Sequence, residues 1–157
     1  MRPDVPRILE ATASQFSSMS PDDLLTAIRL SEGRTIVAET VCTAPPLVDG
    51  VSNAELVSAF GADMVLLNFY DLLQPPVPAG SLRRLIGRPV GVNLEPGSDG
   101  LLPPGRLATP ENAMNALQQG ADFVLITGNP HTGVTNESVQ DSVKAIKDHL
   151  GTRLIVM

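Results

Sequence analysis

Polar side chains stand at the carboxyl ends of four short apolar runs, which are typical of buried strands. They are Glu39, Asn68, Asn93 with Glu95, and Thr127 with Asn129. A carboxylate such as Glu39 can transfer a proton or bind a metal ion, and the amides of Asn68 and Asn93 can orient a polar substrate. Burial of an unpaired carboxylate is costly, so Glu39 must be paired, protonated, metal-bound or wetted by a pocket. Strand alternation places these groups on one face, where they form either a substrate site or a hydrogen-bonded layer that satisfies itself.

The loop that follows the fourth apolar run is a candidate anion site. It contains Gly128 and Gly133, which allow a close backbone approach, and it leads into a helix capped by Thr135 or Asn136. The free N–H groups and the dipole of such a helix start attract negative charge. The loop is not a P-loop, because the lysine of that motif is missing. We therefore expect the anion to be held, together with Asn68, by Gly128, Asn129, Thr132 and Gly133, and we assign catalytic roles to Glu39, Asn93 and His131.

The acidic residues and the single cysteine allow further chemistry. Glu39 and Glu95 are candidate ligands for Mg²⁺, with Asp71 and Asp99 as further oxygen donors, although their spacing defines no metal motif. No nucleotide cofactor is indicated. Cys42 directly follows the first strand and is either a nucleophile or metal ligand or, without a CxxC partner, a small buried side chain.

Repeated βα units would position these side chains. The segments GADMVLLN (61–68) and GADFVLIT (120–127) nearly repeat each other. Each is typical of a helix stop, a turn and a strand that is covered on both faces, as in parallel sheets. The predicted strands are 35–41, 63–69, 89–94, 122–127 and 153–157. The predicted helices lie near 6–17, between Ser20 and Gly33, after Ser52, near 81–86, after Thr109 and after Thr135.

The connections predict which end of the sheet carries the site. The helix-to-strand turns are brief and marked by glycine, whereas the strand-to-helix loops are long and rich in Pro and Gly. In parallel α/β folds the functional residues lie at the carboxyl ends of the strands, on loops of the second kind. The carboxyl edge of the sheet is therefore the expected site.

Length and charge limit the domain organisation and the partners. We predict one α/β domain over residues 1–157, with N-terminal helices in 1–34 and four βα units plus a fifth strand in 35–157. A net charge of −6 argues against nucleic acid and anionic membranes as partners. The only adjacent basic pair is Arg83-Arg84. One cysteine, no signal peptide and no apolar run of roughly 20 residues indicate a cytoplasmic protein.

Several longer segments resemble a family of uncharacterised bacterial (β/α)8-barrel proteins described as phosphoenolpyruvate phosphonomutase-like. They are GRTIVAETVC, SNAELVSAFGADMVLLN, RPVGVNLEP and ATPENAMNALQQGADFVLITGNPHTGVTNESV. The element TGNPHTGV also resembles, more distantly, a loop of the BtpA family of barrel proteins. The resemblance implies an aldolase-type TIM barrel and a small phosphorylated or carboxylated substrate. It extends over nearly the whole chain.

The length of the chain leaves the completeness of such a barrel open. A (β/α)8 barrel typically needs about 250 residues, and the predicted elements stop at a fifth strand. The alternatives are a truncated barrel, a half-barrel that completes itself by homo-oligomerisation, and an open doubly wound sheet; we favour the first. The expected function is that of an enzyme, or the N-terminal part of one, with phosphonomutase/lyase-like activity on a small anionic metabolite. The alternatives are a non-catalytic metabolite-binding or regulatory module and a truncated protein of unknown function.

Overall fold

Five strands alternate with helices along the chain in the computed structural model, which describes residues 5–97, 100–129 and 133–157. The strands are β1 (Val37–Val41), β2 (Met64–Asn68), β3 (Val90–Leu94), β4 (Phe123–Ile126) and β5 (Ile155–Val156). The helices are α1 (Ala13–Ser18), α2 (Pro21–Leu30), α3 (Asn53–Ala59), α4 (Ala79–Ile86), α5 (Pro110–Gln118) and α6 (Asn136–Leu150). A 3₁₀ turn, Pro104–Arg106, lies between β3 and α5.

All neighbouring strands pair in parallel, in the order β1-β2-β3-β4-β5. This confirms the predicted α/β class. The consecutive order lacks the reversal that defines a doubly wound sheet. Within the described residues the sheet is open, because β1 and β5 each pair with a single neighbour.

Each face of the sheet packs against its own set of helices. On the outer face, Val65, Val92 and Val124 pack with buried residues of α3, α4, α5 and α6. On the inner face, Met64 and Phe123 pack with buried residues of α1 and α2. Because side chains alternate along a strand, each central strand is apolar on both sides. This arrangement explains the continuous apolar runs of the sequence.

The repeated GAD segments have a shared structural role. Asp63 precedes β2 and its Oδ2 accepts a hydrogen bond of 2.8 Å from the backbone N–H of Ile36, beside the start of β1. Asp122 precedes β4 and its Oδ2 accepts a hydrogen bond of 2.9 Å from the backbone N–H of Val90 at the start of β3. Each aspartate thus ties the amino end of its strand to the strand before it. Both carboxylates lie at the end of the sheet opposite to the expected site.

Helix starts agree with the capping signals of the sequence. Capping boxes at Ser20 and Ser52 begin α2 and α3, and the side chain of Thr109 caps α5. Thr135, one of two predicted caps, begins α6. The prediction of a helix near 6–17 is wrong for its first half, because Thr12 forms a capping box with Gln15 and the helix begins only after it.

The predicted strands are one or two residues too long at their ends, where the backbone no longer pairs with the neighbouring strand. Helix α4 begins two residues before the predicted turn of helix near 81–86. Within the described part of the chain, no helix combines the length and the apolar composition needed to cross a membrane.

Candidate functional site

Four polar side chains form a hydrogen-bonded row across β1, β2, β3 and the residue after β4, which we call the polar row: Glu39, Asn68, Asn93 and Thr127. Asn68 Nδ2 donates to Glu39 Oε1 over 2.7 Å. Asn93 Nδ2 donates to Asn68 Oδ1 over 3.2 Å, and Thr127 Oγ1 donates to Asn93 Oδ1 over 2.8 Å. The structure therefore brings together four of the six side chains that strand alternation predicts on one face. The hydrogen-bonded layer that the sequence left as one alternative is present.

The polar row is buried at its centre and open at one end. Asn93 is 5% exposed, Asn68 is partly buried, and Glu39 is exposed on β1, an edge strand of the described sheet. Glu39 uses Oε1 for the bond to Asn68, and its Oε2 accepts no hydrogen bond from the described residues. A polar ligand can therefore reach this carboxylate, whereas the two amides are engaged with their neighbours.

A buried ion pair lies beside the polar row. Arg106 Nη2 lies 2.6 Å from Glu95 Oε1, and the two side chains are only 11% and 7% exposed. The guanidinium carbon of Arg106 also lies 4.2 Å from the ring centroid of Phe69, which directly follows Asn68. Phe69 adopts φ +57°, a left-handed conformation that is strained for an aromatic residue. Residues held in this conformation cluster at functional sites, although Glu32, in the turn after α2, adopts it as well (φ +54°).

The predicted Mg²⁺ ligands fit a metal ion poorly. Glu95 is engaged with Arg106, and Glu39 with Asn68. No group of three His, Cys, Asp or Glu side chains that could hold a metal ion occurs within residues 5–97, 100–129 and 133–157. Asp71 accepts a hydrogen bond from the backbone of Leu73, and Asp99 lies outside the described residues. Mg²⁺ binding therefore stays a prediction.

The predicted anion loop is described in part. His131 and Thr132 lie outside the described residues, and Asn129 is exposed. A Cβ at Gly128 would lie 2.9 Å from Cγ1 of Val134, so this glycine makes room for packing within the loop. Gly133 adopts φ +70°, which glycine tolerates without strain.

Gly133 also lines a groove at the carboxyl edge, between the loop after β3 and the start of α6. The groove has a volume of about 520 Å³, and its polar lining comes from Thr109, Ser138, Asp141 and Ser142. The side chain of Thr109 caps α5 and that of Ser138 takes part in the capping box of α6. The groove thus lies between two helix starts, which favour an anion, and Asp141 opposes that preference.

The backbone N–H of Cys42 donates to the carbonyl of Asn68, but its side chain lies on the other face of the sheet from the polar row. It packs against the outer-face core, and burial raises the pKa of its thiol to about 11. A thiol with so high a pKa carries little thiolate at neutral pH, which favours the small buried side chain over the nucleophile. Tyr70 lies near it, and burial likewise raises the pKa of its phenol to about 12.

Arg106 and Phe69 are the site residues that sequence reasoning missed. Arg106 lies in a loop rich in Pro and Gly, far along the chain from Phe69, and no spacing rule connects the two. The one available signal was Glu95, since a carboxylate at a buried strand end needs a cationic partner.

Residues 9–157 match the family described as Domain of unknown function (DUF7916), and the chain belongs to that family. No curated protein matches the sequence. Family membership therefore leaves the chemistry to be inferred from the site itself.

Proposed function

We propose that the chain is a TIM-barrel-type enzyme, or the N-terminal part of one, that acts on a small carboxylated or phosphorylated metabolite at the carboxyl edge of its sheet. The observation that carries this proposal is the polar row, which joins four consecutive strand ends and finishes at the exposed carboxylate of Glu39. The consecutive parallel order supports the barrel, because a (β/α)8 barrel has the same order. The phosphonomutase/lyase-like reaction class rests on the sequence resemblance alone.

In this proposal Glu39 is the acid/base. The amide of Asn68 holds Oε1 in place, and Oε2 is free to take a proton from the substrate or to return one. Asn93 fixes Asn68 through the bond to Oδ1, so its role is to position. The groove beside Gly133 would receive the anionic group, with the helix starts of α5 and α6 supplying favourable dipoles. His131 and Thr132 of the same loop stay candidates for contact with the substrate.

The runner-up is a metabolite-binding or regulatory module without catalysis. It is favoured by the degree to which Asn68 and Asn93 satisfy each other, which leaves few free donors for a reacting group. Both proposals predict binding of the same ligands, but only the enzyme would convert them to a product.

The test begins with a panel of small oxo-, hydroxy- and phosphocarboxylates, with and without Mg²⁺. Binding is measured as a shift in melting temperature, and turnover by NMR. If Glu39 is the acid/base, Glu39→Gln retains binding within about threefold and loses turnover by at least about a hundredfold, the size expected for a general acid or base. Asp148→Asn, an exposed carboxylate on α6, removes a charge elsewhere and should leave both unchanged. Unchanged turnover in an active preparation of Glu39→Gln would exclude this role, and binding without any turnover would favour the runner-up.

A further inference from the structure

A second cavity is lined by arginines at the amino end of the sheet. Its volume is about 180 Å³, and its polar lining consists of Arg83, Arg84, Arg88, Ser14 and Ser17; we call it the arginine cavity. It lies between α1 and the carboxyl end of α4, which leads into β3. The polar row lies at the opposite end of the sheet, so the arginine cavity is independent of the proposed function.

The three guanidinium groups are not equally neutralised. Arg83 Nε donates to both carboxylate oxygens of Asp122, over 2.9 and 2.8 Å, and its Nη2 donates to the carbonyl of Phe16 over 2.7 Å. Among the described residues, Arg84 donates only to the hydroxyl of Ser81, and the guanidinium carbon of Arg88 lies 5.7 Å from the ring centroid of Phe16. Neither Arg84 nor Arg88 forms an ion pair with the described residues.

Such a cluster is unexpected in a chain with a net charge of −6. Like charges that share a cavity repel one another, and 17 carboxylates are available to relieve the repulsion. The dipole of α4 attracts Arg83 and Arg84, which lie in its last turn. Arg88 follows the C-cap Gly87 and lies near the same helix end, but the dipole is equivalent to only about half an elementary charge and does not neutralise the arginines that lack a carboxylate partner.

The walls of the arginine cavity are held in place by close packing. Gly87 adopts φ +63°, and a Cβ there would lie 2.7 Å from Cβ of Ala13, so only glycine lets α1 approach α4 this closely. Arg83 joins the same helices through the carbonyl of Phe16, and it also reaches Asp122 beside β4. Arg83 and the close packing of the two helices therefore hold one side of the arginine cavity in place, whereas the side chain of Arg84 is exposed.

We propose that the arginine cavity binds a phosphate group, either as inorganic phosphate or as a phosphomonoester. Arg84 and Arg88 supply the charge and the planar donor geometry that phosphate oxygens accept. Ser14 and Ser17 line the same space. The hydroxyl of Ser14 shares a hydrogen bond with that of Thr12, and the hydroxyl of Ser17 donates to the carbonyl of Ala13, so the guanidinium groups are the donors that phosphate would use. A dianion would neutralise the two arginines that lack carboxylate partners.

Calorimetric titration with inorganic phosphate, in a buffer free of phosphate and sulfate, tests the proposal. We expect saturable binding with a dissociation constant of about 1 mM or tighter. The variant Arg84→Gln/Arg88→Gln should bind at least about tenfold more weakly, because it loses two charge-assisted interactions. Lys144→Gln/Lys147→Gln removes the same charge from α6, where both lysines are exposed, and should bind phosphate as the wild type does.

A second arm separates the two sources of phosphate and guards against misfolding. Glycerol 3-phosphate should bind more tightly than inorganic phosphate if the natural ligand is a phosphomonoester, and more weakly if it is inorganic phosphate. Arg84→Lys/Arg88→Lys keeps the charge and should retain binding within about tenfold, although the lysines lose the planar fork. Absence of saturable binding for both ligands, or wild-type affinity in a folded Arg84→Gln/Arg88→Gln variant, would overturn the proposal.

Discussion

Arg106 and Glu95 form an ion pair at the carboxyl edge of β3, in which Nη2 and Oε1 are 2.6 Å apart and both side chains are almost fully buried. Removal of either partner leaves the other as an unpaired buried charge, which typically costs about 3–5 kcal/mol. We expect Arg106→Ala and Glu95→Ala each to lower the free energy of unfolding by about that amount. Urea denaturation followed by circular dichroism measures the loss.

A double variant checks that the loss reflects the unpaired charge. Arg106→Met/Glu95→Leu removes both charges and keeps most of the buried volume, so it should be more stable than either single alanine variant. Exposed ion pairs typically contribute less than about 1 kcal/mol to the free energy of unfolding. If both single variants lose less than that, the pair is exposed to solvent in the native protein.

Asp122 should contribute more to stability than its counterpart Asp63. The carboxylate of Asp63 accepts one hydrogen bond, from the backbone N–H of Ile36. The carboxylate of Asp122 accepts a hydrogen bond from the backbone N–H of Val90 and also forms an ion pair with Arg83. An unsatisfied buried donor costs about 1–3 kcal/mol, so we expect Asp63→Ala to lose about 1–2 kcal/mol and Asp122→Ala about 2 kcal/mol more.

The two aspartates serve as controls for each other, because they occupy equivalent places in repeated segments. The two variants are compared by their urea concentrations at half-unfolding, provided that the dependence of the free energy of unfolding on urea concentration is the same in both. Equal losses in the two variants would show that the ion pair with Arg83 contributes nothing measurable. A larger loss for Asp63 would contradict the role assigned to Asp122.

The strands and most helix starts could be predicted because their causes are local. An apolar run without polar interruptions fits a strand buried on both faces, and Ser20 or Ser52 before an acidic residue three positions later forms a capping box. Thr12 forms the same box with Gln15, yet the helix was expected to start earlier. The turn that buries Ile8 depends on packing against α2, which no local pattern shows.

The candidate site was predictable only where strand alternation decides it. Alternation places Glu39, Asn68 and Asn93 on one face, and the polar row contains all three. Arg106 could not be found this way, because the path of its loop is set by contacts distant in sequence. The left-handed backbone of Phe69 is likewise a tertiary effect, since nothing in its residue type favours it.

Cys42 should react slowly with alkylating agents in the native protein. Burial raises the pKa of its thiol from the ordinary 9.0 to about 11. At pH 8 the native thiolate is therefore only about one part in a thousand, and we expect alkylation by iodoacetamide to be at least about tenfold slower than in urea-unfolded protein. Mass spectrometry follows the labelling. Native labelling as fast as in the unfolded chain would show an activated thiol.

The same pKa shift predicts the direction of a stability change at high pH. The native state holds the thiol proton more tightly than the unfolded state does, so the stabilisation is complete below the unfolded pKa. It is lost as the pH rises from about 9 through about 11. We expect the free energy of unfolding to fall over this range more steeply in the wild type than in Cys42→Ser. Parallel pH dependences of the two proteins would contradict the shift.

Gly91 makes room for Phe123 on the inner face of the sheet. The two residues are paired across β3 and β4, and a Cβ at Gly91 would lie 2.1–2.3 Å from three atoms of the Phe123 ring. The ring is 1% exposed and packs within the inner-face core, so it has little room to move. We expect Gly91→Ala to cost about 1–3 kcal/mol, the usual penalty for overpacking.

A second-site variant separates the steric effect from a change in backbone entropy. Phe123→Leu makes the facing side chain smaller, so Gly91→Ala should cost less in that background than in the wild type. Urea denaturation of the four proteins gives the coupling free energy, which we expect to favour the double variant by about 1 kcal/mol or more. A coupling near zero would mean that the ring of Phe123 is not what excludes a side chain from position 91.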